Sequence, residues 1–164
     1  MLSEKMIDAI NAQVNEELYS FYLYLSMAEY YQESKLSGFA SWMRAQAQEE
    51  MSHGMKFVHY LGEQNSRAVY KAIATPPKEW KSPLAAFEDS YKHEKHITGC
   101  INKLMDLAVE LKDYASIRFL GWFIDEQIEE EGNVLKVLDQ LEMVSKVPAG
   151  LFMIDRELAK RGAK

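Results

Sequence analysis

The chain has 164 residues, 48% hydrophobic and 27% charged, a balance that fits one globular domain with a sizeable core and excludes a disordered chain. A formal net charge of -6 and a pI near 5.3 argue against a general nucleic-acid binder, whose footprint is basic, and favour attraction of cations. The longest strongly apolar uncharged run, Leu18 to Ala28, falls well short of the roughly 18 residues of a membrane span. The opening "MLSEKMIDAI" lacks the basic-then-apolar layout of a secretory signal, and Cys100, the only cysteine, has no internal disulfide partner. Both features suit a reducing, cytoplasmic setting. Cys100 itself reads as a small buried apolar residue.

Gly38, Gly62, the pair Pro76-Pro77, Pro83, Pro148 and Gly150 punctuate long helical patterns, and no strand pattern competes with them. In chain order the pattern predicts α1 over 4–33, α2 over 38–63, α3 over 83–111, α4 over 114–144 and a short α5 over 148–160. At about 1.5 Å rise per residue the first four are roughly 40 Å long. The α1–α2 and α3–α4 connections are short enough for hairpins, whereas 62–82 can run the length of a bundle and so make α2 and α3 parallel. The expected architecture is all-α: a four-helix bundle over 1–145 with one long crossover, then a short helix and tail over 146–164. The apolar residues Leu151, Phe152, Ile154 and Leu158 give that last helix a face to pack on other subunits or back on its own bundle.

Alternating steps of three and four give the inward row of each helix. For α1 it is Ile7, Ile10, Val14, Glu17, Phe21, Tyr24, Ala28, and for α2 Phe39, Met43, Gln46, Glu50, His53, Phe57, Tyr60. For α3 it is Leu84, Phe87, Tyr91, Glu94, Thr98, Ile101, Met105, Ala108, and for α4 Ser116, Leu120, Phe123, Gln127, Glu130, Val134, Val137, Leu141. One inward acid is ordinarily a seam-edge residue with its head in water. Here every main helix carries one, and their heights agree. Glu17 and Glu50 are equidistant from the first hairpin turn, Glu94 and Glu130 from the second, so all four reach mid-bundle with His53 and Gln127.

Ionised carboxylates buried without partners cost several kcal/mol each, so such a site must bind cations or take up protons. Four carboxylates balance two divalent ions, and two trivalent ions joined by one oxo bridge carry the same net charge. Carboxylate oxygen with one imidazole suits iron or manganese over thiolate-seeking metals, although zinc fits the same ligands.

Glu17, "EEMSH" at 49–53, Glu94 and "DEQIEEE" at 125–131 resemble the prokaryotic non-haem ferritin family, over nearly the whole chain. The resemblance implies a ferritin-like bundle with a fifth helix, assembled as a 24-subunit homo-oligomeric cage. It implies a ferroxidase that oxidises Fe(II) with dioxygen or hydrogen peroxide and deposits ferric oxyhydroxide mineral. Carried over by position, Glu17, Glu50 and His53 hold one iron, Glu50 bridges to a second held by Glu94 and Glu130, and Gln127 lies near the second iron or its oxygen ligand. Glu49, Glu126 and Glu129 resemble the acids of a third iron site that shares Glu130; a solvated acidic face is the other reading. Tyr24 resembles a site-adjacent tyrosine that orients a ligand or supplies an electron; plain core packing is the other reading. Trp122 resembles a nearby aromatic of some members. His93 and His96 flank Glu94 at angles poorly suited to the centre. Haem is not expected, since α4 carries Gln127-x-x-Glu130 where the haem-bearing branch has Glu-x-x-His, and the absence of CxxC pairs disfavours a rubrerythrin-like peroxidase.

Overall fold

A computed structural model gives the fold and describes residues 1–144 and 147–161. Five helices follow one another: α1 Glu4–Glu33, α2 Ser37–Glu63, α3 Pro83–Glu110, α4 Tyr114–Val144 and α5 Pro148–Leu158. No helix among the described residues is long and apolar enough to cross a membrane. The expected boundaries hold to within two residues; α5 stops at Leu158 rather than 160.

Local chemistry accounts for most of the helix ends. Ser3 Oγ accepts from Met6 N at 3.2 Å to start α1, and Ser82 Oγ accepts from Ala85 N at 3.0 Å to start α3, with Pro83 in its first turn. Asp113 Oδ1 accepts from Ser116 N at 3.1 Å at the head of α4. α1, α2 and α3 each end in a left-handed residue, Lys35 (φ 63°), Asn65 (φ 55°) and Lys112 (φ 54°). Paired back-bonds accompany each, such as Leu36 N to Tyr31 O at 2.9 Å and Lys35 N to Gln32 O at 3.2 Å, a Schellman closure normally built on glycine.

The start of α2 has no local side-chain cap. Instead Asp155 of α5 reaches across, and its Oδ1 accepts from Gly38 N at 2.8 Å and Phe39 N at 3.1 Å. A carboxylate on the free N–H groups of a helix start satisfies donors and complements the helix dipole. The approach requires Gly38, because a Cβ there would lie 1.6 Å from the Asp155 carbonyl oxygen. α5 therefore folds back on its own bundle through Ile154, Asp155 and Leu158, leaving Phe152 and Met153 exposed. That divides the face expected to meet other subunits: Ile154 and Leu158 are used internally because Asp155 between them is tied to α2.

The crossover after α2 runs along α1 toward its C-terminal end. Val69 N donates to Asn11 Oδ1 at 2.6 Å, Asn15 Nδ2 to Ala72 O at 3.3 Å, Ser26 Oγ to Pro77 O at 2.5 Å and Tyr31 OH to Pro83 O at 2.7 Å. The rising α1 numbers mean that the segment travels the bundle's length, so α2 and α3 are parallel.

The apolar core is in two parts. One, around Met6, Ile10, Phe57, Ile101 and Phe123, fills the end with the α3–α4 turn; the other, around Met27, Phe39, Met43, Phe87, Val134 and Leu141, fills the opposite end. Between them every main helix turns inward polar side chains: Glu17, Gln46, Glu50, His53, Glu94, Gln127 and Glu130 are all buried.

Candidate metal centre

Each helix supplies this layer from the inward row that its apolar neighbours define, so packing at both ends fixes the height of the acids. Glu17 on α1 is 1% exposed; Gln13, one turn earlier, donates from Nε2 to its Oε1 at 2.7 Å. The other oxygen, Oε2, is buried with no hydrogen-bond partner. On α2, Gln46 Nε2 donates to Glu50 Oε1 at 2.8 Å and to Glu130 Oε2 of α4 at 2.6 Å. His53 Nδ1 lies 3.2 Å from Glu50 Oε2, and its Nε2 lies 3.5 Å from Glu126 Oε1. On α3, Glu94 Oε1 accepts from the Tyr24 hydroxyl, which also lies 3.0 Å from Ser90 Oγ. Gln127 Nε2 reaches Glu94 O at 3.3 Å and Thr98 Oγ1 at 3.3 Å.

Donor atoms converge in overlapping groups. Atoms of Glu17, Glu50 and His53 lie within 4.8 Å of one another, as do those of Glu50, Glu94 and Glu130 and those of His53, Glu126 and Glu130. The first two triads share Glu50, the arrangement a bridging carboxylate between two adjacent ions requires.

The electrostatics describe a site short of positive charge. Burial, then the Glu50 charge, raises the Glu17 carboxyl to about 8 against the pull of Gln13 and His53. The same two causes lift Glu130 to about 7, and burial with Glu50 and Glu130 holds Glu94 well above the carboxylate range. Burial works against protonation of His53, but its hydrogen bond to Glu50 and the charges of Glu50, Glu17 and Glu130 outweigh it and carry the imidazole up to about 9. Burial, with Glu94 and Glu50, pushes the Tyr24 phenol well above its usual value, so Tyr24 remains a donor. Protons thus stand where a multivalent cation would neutralise the layer, and a cation entering must displace them. The orphan Glu17 Oε2 and the carboxylate-imidazole donor set fit a hard divalent cation.

The three acids considered for a third ion lie apart in their contacts. Glu126 is beside His53, Glu49 Oε2 accepts from Arg161 Nη2 at 2.6 Å, and Glu129 is exposed. Trp122 packs edge-on against His53 at 5.6 Å between centroids, with Lys56 Nζ 4.0 Å over its ring. Sequence reasoning gave no role to Gln13, Gln46 or Arg161. The two glutamines sit one turn before Glu17 and Glu50, a helical spacing that could have marked them as holders of those acids. Arg161 Nη2 also donates to Gln46 Oε1 at 2.8 Å, and its guanidinium lies 4.3 Å from the Trp42 ring centroid. No sequence pattern links a tail arginine to α2.

A carboxylate-rich centre inside an all-helical bundle with a lengthwise crossover defines a class, and comparison with known proteins agrees. The ferritin-like domain family matches residues 7–144. A bacterial non-heme ferritin of Bacteroides fragilis is 38% identical over 161 residues, 98% of this chain and 100% of the relative. A probable bacterial non-heme ferritin-like protein of Haemophilus influenzae is 40% identical over 164 residues, 100% of this chain and 99% of the relative. The open pore ferritin of the archaeon Archaeoglobus fulgidus superposes with a TM-score of 0.96 at 44% identity, covering 97% of this chain and 98% of that one. The chain belongs to the ferritin family.

Proposed function

We propose that this protein stores iron: it binds Fe(II) at the mid-bundle layer, oxidises it there, and releases Fe(III) to a mineral inside a homo-oligomeric cage of 24 subunits. The observation that carries this reading is the pair of buried triads sharing Glu50, with one oxygen of Glu17 unpartnered.

In this reading Fe(II) is the substrate. Glu17 and His53 hold one ion, Glu94 and Glu130 the other, and Glu50 bridges them. Two Fe(II) together give two electrons to dioxygen, which leaves as hydrogen peroxide with two protons, or to hydrogen peroxide, which leaves as two waters. Entry of the ions displaces protons held by Glu17, Glu94 and His53. Gln13 and Gln46 keep Glu17, Glu50 and Glu130 aimed inward, so the ions are held adjacent without rebuilding the site. Gln127 stands over the second position, and Tyr24 orients Glu94 or supplies an electron. Glu126, with Glu49 and Glu129, takes a third ion on its way from the centre; for Glu49 that means giving up Arg161. The bundle over 1–145 is the catalytic unit, α5 and the tail over 146–164 serve assembly, and the reducing cytoplasm is the location assigned.

Aerobic addition of Fe(II) to the purified protein, with particle size and retained metal measured together, tests this. Retention of many more ions per particle than three per chain supports storage, and saturation at two or three per chain overturns it.

A further inference from the structure

Outside the central layer, a second set of metal-ligating side chains meets on the seam between α1 and α3. His96 and Cys100 lie four residues apart on α3 and so project from one face, while Glu16 comes across from α1. His96 Nε2 lies 3.0 Å from Glu16 Oε2 and 3.6 Å from Cys100 Sγ, and the three donor atoms fall within 4.8 Å of one another. Glu16 and Cys100 line a cleft of about 390 Å³ together with Gln13 and Lys103. The half-buried thiol is thus not the plain apolar residue expected from sequence.

We propose that Glu16, His96 and Cys100 form a second metal site, selective for a borderline-soft divalent cation of the zinc type and chemically distinct from the central carboxylates. The spacing is the first argument. With metal–sulfur near 2.3 Å and metal–nitrogen near 2.0–2.1 Å, a tetrahedral angle puts sulfur about 3.6 Å and a carboxylate oxygen about 3.3 Å from the imidazole nitrogen. The observed 3.6 Å and 3.0 Å are close to those edges, with Nε2 as the common point. The donor set is the second: one thiolate, one imidazole and one carboxylate leave the fourth position to water on the open side, and sulfur selects against the harder ions that suit the central layer. Neighbouring His93 takes no part, because it faces inward to Ser20 Oγ at 2.7 Å. Binding breaks the Cys100 S–H bond, forms the sulfur–metal bond and releases the proton to solvent. Burial pushes the Cys100 thiol up, so the metal must drive that loss.

Cobalt(II) is the probe, because only a sulfur ligand gives it a thiolate-to-metal charge-transfer band in the near ultraviolet. Added to the assembled, iron-free protein, it gives that band at one equivalent per chain, and Zn2+ bleaches it. Cys100→Ser abolishes the band, while His96→Ala and Glu16→Ala each weaken binding at least about tenfold, the scale lost even with outer-shell partners. Glu50→Ala leaves the band intact, which separates this site from the central one. Absence of the band in the parent protein, or undiminished affinity in both His96→Ala and Glu16→Ala, overturns the proposal. Size measurement confirms that each variant remains assembled.

Discussion

The two apolar ends of the bundle and the polar layer between them are built from the same rows of the same helices, yet they contribute to stability with opposite sign. At the ends, rings such as Phe57 and Phe123, stacked at 4.1 Å between centroids, are buried at full gain. At mid-height, Glu17, Glu94 and Glu130 are buried against their own chemistry, and burial is the largest cause of their raised pKa values. The ends stabilise the fold enough to hold a layer that costs free energy until positive charge enters it.

Removing a side chain from each region breaks that comparison most sharply. Phe57→Ala opens a cavity in the apolar end and costs about 3–5 kcal/mol in denaturant melts. Its effect on the four carboxylates is indirect, so Fe(II) oxidation by the protein that remains folded persists. Glu50→Ala reverses the pattern. Metal-free stability changes less than in Phe57→Ala, because relief of the repulsion on Glu17, Glu94 and Glu130 offsets the lost contacts to His53 and Gln46, while the initial Fe(II) oxidation rate in stopped flow drops by about 100-fold or more, the upper end of what a perturbed metal site loses. An unchanged rate in an otherwise folded cage would reject Glu50 as the bridge.

The comparison also has a pH signature. Glu17 titrates at about 8 in the fold against an ordinary 4.5, and His53 at about 9 against 6.5. For both, the folded state holds its proton to higher pH than the unfolded state. Their contributions are therefore complete at low pH and are lost from about 4.5 to 8 for Glu17 and from about 6.5 to 9 for His53. Thermal melts of metal-free protein should show stability falling from pH 5 to pH 9, and Glu17→Gln should flatten the slope. Saturating divalent metal should abolish the fall and turn it into a rise below about pH 6.5, since bound metal keeps the acids ionised and His53 neutral in the fold while the unfolded chain still protonates that histidine.

Two smaller effects lie at helix ends. Asp155→Ala removes the acceptor shared by Gly38 N and Phe39 N and leaves buried donors unsatisfied, costing about 1–3 kcal/mol and loosening α5, as hydrogen exchange at the start of α2 will report. Lys112→Gly relieves a left-handed residue and should stabilise the protein by about 0.5–1 kcal/mol, the least of these changes.

Much of this architecture is legible in the sequence because helical periodicity and hairpin symmetry are local rules. The inward row of α2 is buried from Phe39 to Tyr60, and the heights counted from the two turns bring Glu17, Glu50, Glu94 and Glu130 together. The inward rows are less accurate for α1, where Ile7 and Phe21 are half-buried while Met6, Met27 and Tyr31 are fully buried, and for α3, where Leu84, Tyr91, Thr98 and Met105 are half-buried while Ser90, Ile97 and Leu104 are buried. What sequence could not supply are partners far apart in the chain. Asp155 caps α2, Arg161 reaches Glu49 and Gln46, and Glu16 meets His96, each through packing that no local spacing encodes.

The proposed function requires above all that one carboxylate, Glu50, be shared by two metal positions inside the bundle. Anomalous diffraction at the iron edge, from crystals soaked anaerobically in Fe(II), measures this directly. Two peaks should flank the Glu50 carboxylate, one bordered by Glu17 and His53 and the other by Glu94 and Glu130. A layer without iron, or a lone peak that does not touch Glu50, would contradict the account.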